Sequence, residues 1–282
     1  MQKILELNLI ISTATIGLSS SVIRLGSRSL RTSMAPSHIF QDPCFWQHFQ
    51  RQVKSKAWKC NFSPEILIEN IDKDSALYKD DTILKKRRQG LQKWIKNDTQ
   101  WIKVILGTCK EIANGEFGHY SQTLKKFHIL DAFRDFVDHL NWFYIVAAIM
   151  ADKGQEVHPI SQNSSEVHDI DKLDPIMLIG YSEKFEDDAA TSVWNTCVYR
   201  HVHFNPHHQA HSLWHEESQE KETQVLRTEA LREMVCDKVS RNVQKTLIGE
   251  ISDKMWKVDL TFFNGLPQEW IDLAVKMMDN LS

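Results

Sequence analysis

Residues 166–175, "EVHDIDKLDP", gather chemistry into one short turn: His168 beside Asp169, then Asp171, Lys172 and Asp174 before Pro175. Six of the thirteen histidines follow within "HVHFNPHHQAHSLWH", from His201 to His215. Taken singly, a histidine in such a tract reads as a surface or structural residue, and His203, His211 and His215 are left there. His201, His207 and His208 differ, because Asn205–Pro206 fixes the chain direction between them. His139 lies on the margin of an apolar stripe near Phe136 and Phe143, and Asp237 flanks the apolar face of a later helix. A carboxylate there needs a partner, since an isolated buried charge is too costly. Arg241, four residues on, offers an ordinary ion pair. Taken together and in order, these imidazoles and carboxylates make a donor set suited to Mn, Fe, Co, Ni, Zn or, with more oxygen, Mg.

Helices must position them. Glycine and proline are scarce, sustained alternation is absent and no repeat is detectable, so the chain reads as all-α. Two amphipathic helices are expected between about residues 83 and 113, broken near "KNDTQ" with Asp98 or Thr99 as cap. A long buried helix carrying Ile129, Phe133, Phe136, Leu140 and Phe143 is expected to end at Gly154. Asp174–Pro175 reads as cap and first helical residue, as does Asn205–Pro206, so helices are expected to begin at both. Further helices are expected over 187–203, along "RTEALREMVCDKVSRNVQK" and along "LPQEWIDLAVKMMDNL". Helices and the turns between them are what a bundle uses to hold a metal in its core.

Composition narrows the field. The 282 residues, with 42% hydrophobic and 25% charged, are ordinary for a globular chain, and a net charge of −3 gives no reason to expect a nucleic-acid partner. The basic run "LKKRRQG" (84–90) reads as a solvated helical face, with an anion-binding surface as the alternative. Five cysteines without CxxC spacing point to reduced thiols and an intracellular site, mitochondrial or cytoplasmic. No run is long enough to span a bilayer. Residues 1–38 are rich in Ser and Thr and nearly free of acids; they read as a disordered or targeting segment.

At the level of motifs, "HDIDKLDP", "GYSEKF", "HVHFNPHH" and "LREMVCDKVSRN" resemble an uncharacterised HD-like domain family. That family is a divergent relative of the HD-domain metal-dependent phosphohydrolases. The resemblance covers about residues 120–280. It implies an HD-type helical bundle over 116–282, with residues 39–115 as a helical N-terminal extension. It also implies a divalent metal held by His139, His168, Asp169 and Asp237, with His201, His207 and His208 building a second site or meeting phosphate. Lys172 stands where many HD enzymes carry an acid, and an ammonium there implies phosphate neutralisation.

The activity expected on this basis is metal-dependent hydrolysis of a small phosphorylated substrate, a nucleotide among the candidates. Asp169, Lys172, His207 and His208 would carry the chemistry. A non-catalytic module on the same fold, or di-iron oxygenase chemistry, is the competing expectation. Pairing of Lys172 with Asp171, Asp174 or Glu183 is the ordinary alternative for that residue.

Overall fold

Apolar residues three and four apart give helices throughout, and among the described residues no strand occurs. The computed structural model describes residues 38–160, 167–247 and 255–281. Its fold is all-α. Numbering the helices of eight or more residues, α1 is Pro43–Lys54, α2 Asp81–Trp94, α3 Asp98–Ala113, α4 His119–Lys126 and α5 Leu130–Asp152. They are followed by α6 Pro175–Phe185, α7 Ser192–Phe204, α8 Lys221–Leu247 and α9 Gln268–Asp279. The expectation for the N-terminal segment falls almost wholly on residues 1–37, which lie outside the described residues.

The chain forms two compact units that interleave in sequence. One comprises Ala35–Asp138 and Asp169–Val202; the other contains His139–His168 and His203–Ser282. In the first, Trp101 of α3 is buried and donates its indole N–H to the Leu173 carbonyl at 2.9 Å. That bond anchors the turn between His168 and α6. Asp174 caps α6 by accepting from Ile176 N at 2.9 Å, and its other oxygen accepts from Cys60 N at 2.9 Å. In the second unit, Phe143, Val146 and Met150 of α5 bury against Leu231, Met234, Val235 and Val239 of α8, and Trp270, Ala274 and Met278 of α9 close that core.

Several helix ends depart from expectation for local reasons. Asn97, not Asp98 or Thr99, caps α3 by accepting from Gln100 N at 3.1 Å. The helix expected over 187–203 begins only at Ser192, where Thr191 Oγ1 caps it by accepting from Trp194 N at 3.1 Å and Asp74 takes Ser192 N at 2.8 Å and Ser192 Oγ at 2.6 Å. Asn205–Pro206 opens a turn rather than a helix. There His208 N bonds Asn205 O at 3.0 Å, and Trp214 Nε1 takes the Pro206 carbonyl at 2.8 Å. That carbonyl is therefore held by an indole instead of a following helical N–H. The basic run 84–90 is not a solvated face: Arg87 and Arg88 are buried. The long helix behaves as expected, with Gly154 in the left-handed region just past its end (φ 74°). No described helix is long and apolar enough to cross a membrane.

Candidate metal centre

In the unit built on α5, α8 and α9, His139 and Phe143 lie one turn apart on α5, and Glu233 and Asp237 lie one turn apart on α8. The two helices are packed closely enough for Cys236 Sγ to reach the Phe143 carbonyl at 3.3 Å. His168 arrives from the chain and stacks flat on Phe143, with ring centres 3.9 Å apart and planes 5° apart. Three ligand-type atoms then converge. His139 Nε2 lies 3.0 Å from Asp237 Oδ1 and 3.2 Å from His168 Nε2, and His168 Nε2 lies 3.6 Å from Asp237 Oδ1. All three residues are buried.

Those separations are informative. Donors bonded to one cation at about 2.1 Å stand about 3.0 Å apart at right angles and about 3.4 Å apart in a tetrahedron. Read as hydrogen bonds alone, the 3.6 Å pair is too long to count. The protonation states also suit a cation. Burial, then the charge of Arg241, pushes the His139 imidazolium pKa down to about 3, so the ring is neutral at physiological pH. Burial alone would raise the Asp237 carboxyl, but the Lys238 ammonium and the imidazoles of His139 and His168 hold it well below the usual range. Lys238, rather than the expected Arg241, is the ion partner seen on Asp237.

Glu233 stands behind the triad. Its Oε1 lies 2.8 Å from His168 Nδ1 and 3.1 Å from His207 Nδ1, and its Oε2 accepts from Ile160 N at 2.8 Å. Sequence reasoning quoted Glu233 within a motif and gave it no role. The available signal was its position one turn before Asp237, on a helix face flanked by Ala230 and Met234. His207 is buried beside it, with the His208 ring 4.3 Å away. The histidines left as structural behave so where their bonds are seen: His211 Nδ1 accepts from Leu213 N at 3.1 Å, and His215 Nε2 lies 3.0 Å from Gln209 O.

The other unit carries a second polar group, on Asp169, Asp171, Lys172 and His201. Asp169 Oδ2 takes the Lys172 ammonium at 2.6 Å, and its Oδ1 lies 3.5 Å from His201 Nε2. His201 Nδ1 is oriented by Asp171 Oδ2 at 2.9 Å, a partner the sequence reading did not name. Lys172 also lies over the Tyr181 ring, 5.3 Å from its centre. Asp169 is thus one partner of Lys172, and one the sequence reading did not name. Asp169 itself adopts left-handed backbone, φ 55° and ψ 24°. A non-glycine residue held there is strained, and such strain collects at functional sites. His168 and Asp169 are consecutive, so a single peptide bond joins the two groups.

Buried His and Asp groups in this chain could hold a metal ion. Their donor types exclude no first-row divalent cation, and two imidazoles with a carboxylate favour Mn, Fe, Co, Ni or Zn over Mg.

The comparisons with known proteins are sparse. Residues 128–264 match DUF5662, a family of unknown function. That segment contains His139, the His168–Asp169 pair, His201, His207, His208, Glu233 and Asp237. No curated protein and no solved structure matches the chain.

Proposed function

We propose that the protein is a metal-dependent hydrolase of phosphate esters, acting on a small phosphorylated substrate such as a nucleotide. The observation that carries the reading is the His139–His168–Asp237 triad, whose three ligand atoms stand 3.0–3.6 Å apart. The His139 imidazole and the Asp237 carboxylate are already deprotonated near neutral pH, as divalent binding requires. Asp169, next in the chain, and His201 are the proposed further donors, in keeping with the resemblance to the HD pair. A divalent cation held there supplies Lewis acidity, which polarises a phosphoryl group and makes water more acidic.

The remaining roles belong to the chain itself. The resemblance gives Asp169 the role of steering water, and its side chain is held by Lys172 at 2.6 Å with His201 3.5 Å away. Lys172 brings a compact positive charge that offsets the negative charge on non-bridging oxygens. His207 and His208 are buried donors for the same oxygens.

The test begins with elemental analysis of untagged protein, then assays nucleotides and small phosphomonoesters with Mn, Co, Ni and Mg. Bound divalent metal and phosphate release are expected. A protein that takes up metal and hydrolyses none of these is a non-catalytic module, and one that takes up no metal refutes the reading altogether.

A further inference from the structure

We infer that Glu233 is a positioning residue: it fixes the tautomer and ring plane of His168 so that Nε2, and not Nδ1, is the metal-facing nitrogen. The inference rests on the proposed metal site and adds to it a residue that no motif role assigned.

The argument is one of donors and acceptors. A carboxylate only accepts, and Glu233 Oε2 already takes a fixed donor, the Ile160 backbone N–H at 2.8 Å. The contact of 2.8 Å between Glu233 Oε1 and His168 Nδ1 is therefore a hydrogen bond only if Nδ1 carries the proton. In a neutral imidazole that leaves the lone pair on Nε2. Nε2 is the atom that faces His139 Nε2 at 3.2 Å and Asp237 Oδ1 at 3.6 Å. Phe143 restrains the ring a second way, by stacking on its face; a half-turn flip about Cβ–Cγ would keep that stacking but move the nitrogens, and that flip is what Glu233 has to prevent. Metal-bound histidines commonly show this arrangement, and loss of the outer carboxylate typically weakens metal binding about 10–100-fold.

Glutamine is the informative substitution. Its amide oxygen can replace only one of the two carboxylate oxygens. The amide N–H group would then face either the Ile160 N–H or the protonated Nδ1, donor against donor.

The experiment records the long-range imidazole ¹H–¹⁵N correlation of metal-free, ¹⁵N-labelled protein, and Co(II) affinity by titration, for wild type, Glu233→Gln, Glu233→Ala and Glu233→Asp. Thermal melts confirm that each variant folds. Wild-type His168 is expected as the Nδ1–H tautomer. Glu233→Ala and Glu233→Gln are expected to lose that pattern and to bind Co(II) about 10–100-fold more weakly. Glu233→Asp should recover part of both. An Nδ1–H pattern that persists in Glu233→Ala overturns the inference, as does an unchanged affinity once the pattern is lost. If wild type binds no Co(II), the metal reading fails, and the tautomer change alone still decides the half of the inference that concerns the ring. Should Glu233→Ala not fold, Glu233→Gln, which keeps the side-chain volume, decides the matter.

Discussion

Two buried polar groups in this chain are satisfied in opposite ways. In the unit built on α2, α6 and α7, Arg88 is fully buried and grips Glu183 with two parallel bonds of 2.7 Å. Its third arm meets Asp74 at 2.8 Å, Thr191 adds a hydroxyl to Glu183 at 2.5 Å, and Arg87 pairs with Asp187 at 2.7 Å. Each carboxylate of Glu183 and Asp74 thus has a fixed cation. In the unit built on α5, α8 and α9, the interior holds Asp237, Glu233 and imidazoles, and the Lys238 ammonium approaches Asp237 through Oδ2. Asp237 Oδ1 faces only ring nitrogens in the triad. A network closed by its own guanidinium locks a structure. One built of carboxylates and imidazoles has the donor types that could also hold a metal ion.

The sharpest way to break this contrast is at Arg88. Arg88→Met takes the guanidinium from Asp74 and leaves Glu183 only the longer contact with Arg87 at 3.4 Å, and removing one partner of such a pair costs about 3–5 kcal/mol. Urea unfolding should register that loss equally with and without a chelator. A loss below about 1 kcal/mol would mean that water or a neighbouring cation replaces the guanidinium, and the network would not be structural in this sense.

Lys172 tests which of the two classes Asp169 belongs to. If the ammonium serves the transferring phosphoryl group, Lys172→Ala lowers turnover about 10²–10³-fold while the metal content holds. An ammonium carries three donors, so holding Asp169 and meeting a phosphoryl oxygen are compatible. Lys172→Arg should restore only part of the rate, because a planar fork places its charge differently. Full turnover in Lys172→Ala, measured on a substrate found by the screen above, assigns Lys172 to structure alone, like Arg88.

Chelation tests the proposed metal site. A metal at 100 times its Kd adds about 2.7 kcal/mol to native stability. EDTA should therefore lower the melting temperature of wild type, and Asp237→Asn should melt alike with and without EDTA. Equal chelator shifts in both proteins would place the metal elsewhere.

The contrast also explains what was legible beforehand. The helices were visible because a buried stripe repeats every three to four residues, and the Asp174–Pro175 start was visible because cap and proline are adjacent. The His139, His168 and Asp237 set stood out because imidazole and carboxylate at apolar margins are rare and costly. Arg87 and Arg88 were misread as solvated: their partner Glu183 lies 95 positions beyond Arg88, and a basic run says nothing about which members find a distant carboxylate. Glu233 was passed over because a glutamate on a long helix looks like a solvent-facing residue until Ile160 and His168 arrive from elsewhere. Asn205–Pro206 promised a helix by local rule, and the tertiary bond from Trp214 to the Pro206 carbonyl overrode it.

The smallest effect concerns a third kind of buried carboxylate, one satisfied by neither guanidinium nor imidazole. Glu111 of α3 reaches across to the start of α4, where its two oxygens accept from Tyr120 N at 3.0 Å and Ser121 N at 2.7 Å. The helix has no cap of its own there, because the preceding residue is Gly118. A Cβ on Gly118 would come within 2.4 Å of Glu111 Oε1, so the glycine is what lets the carboxylate close in. Burial raises the Glu111 pKa, but the Ser121 hydroxyl nearby and the backbone N–H groups of Ser121 and Tyr120 outweigh it and leave the pKa below its ordinary 4.5. A depressed pKa means that the stabilisation is present above pH 4.5 and is lost as pH falls through the folded-state value. Glu111→Gln should cost about 1 kcal/mol at neutral pH, the usual worth of a helix cap. It should also flatten the part of the stability curve that falls below pH 4.5. Gly118→Ala should give a similar loss at neutral pH by pushing the carboxylate away, with no dependence on chelator in either variant. Unfolding curves at pH 7 and at pH 3.5 to 4.5 measure both, and a Glu111→Gln protein whose acid limb overlays wild type would remove Glu111 as the cap of α4.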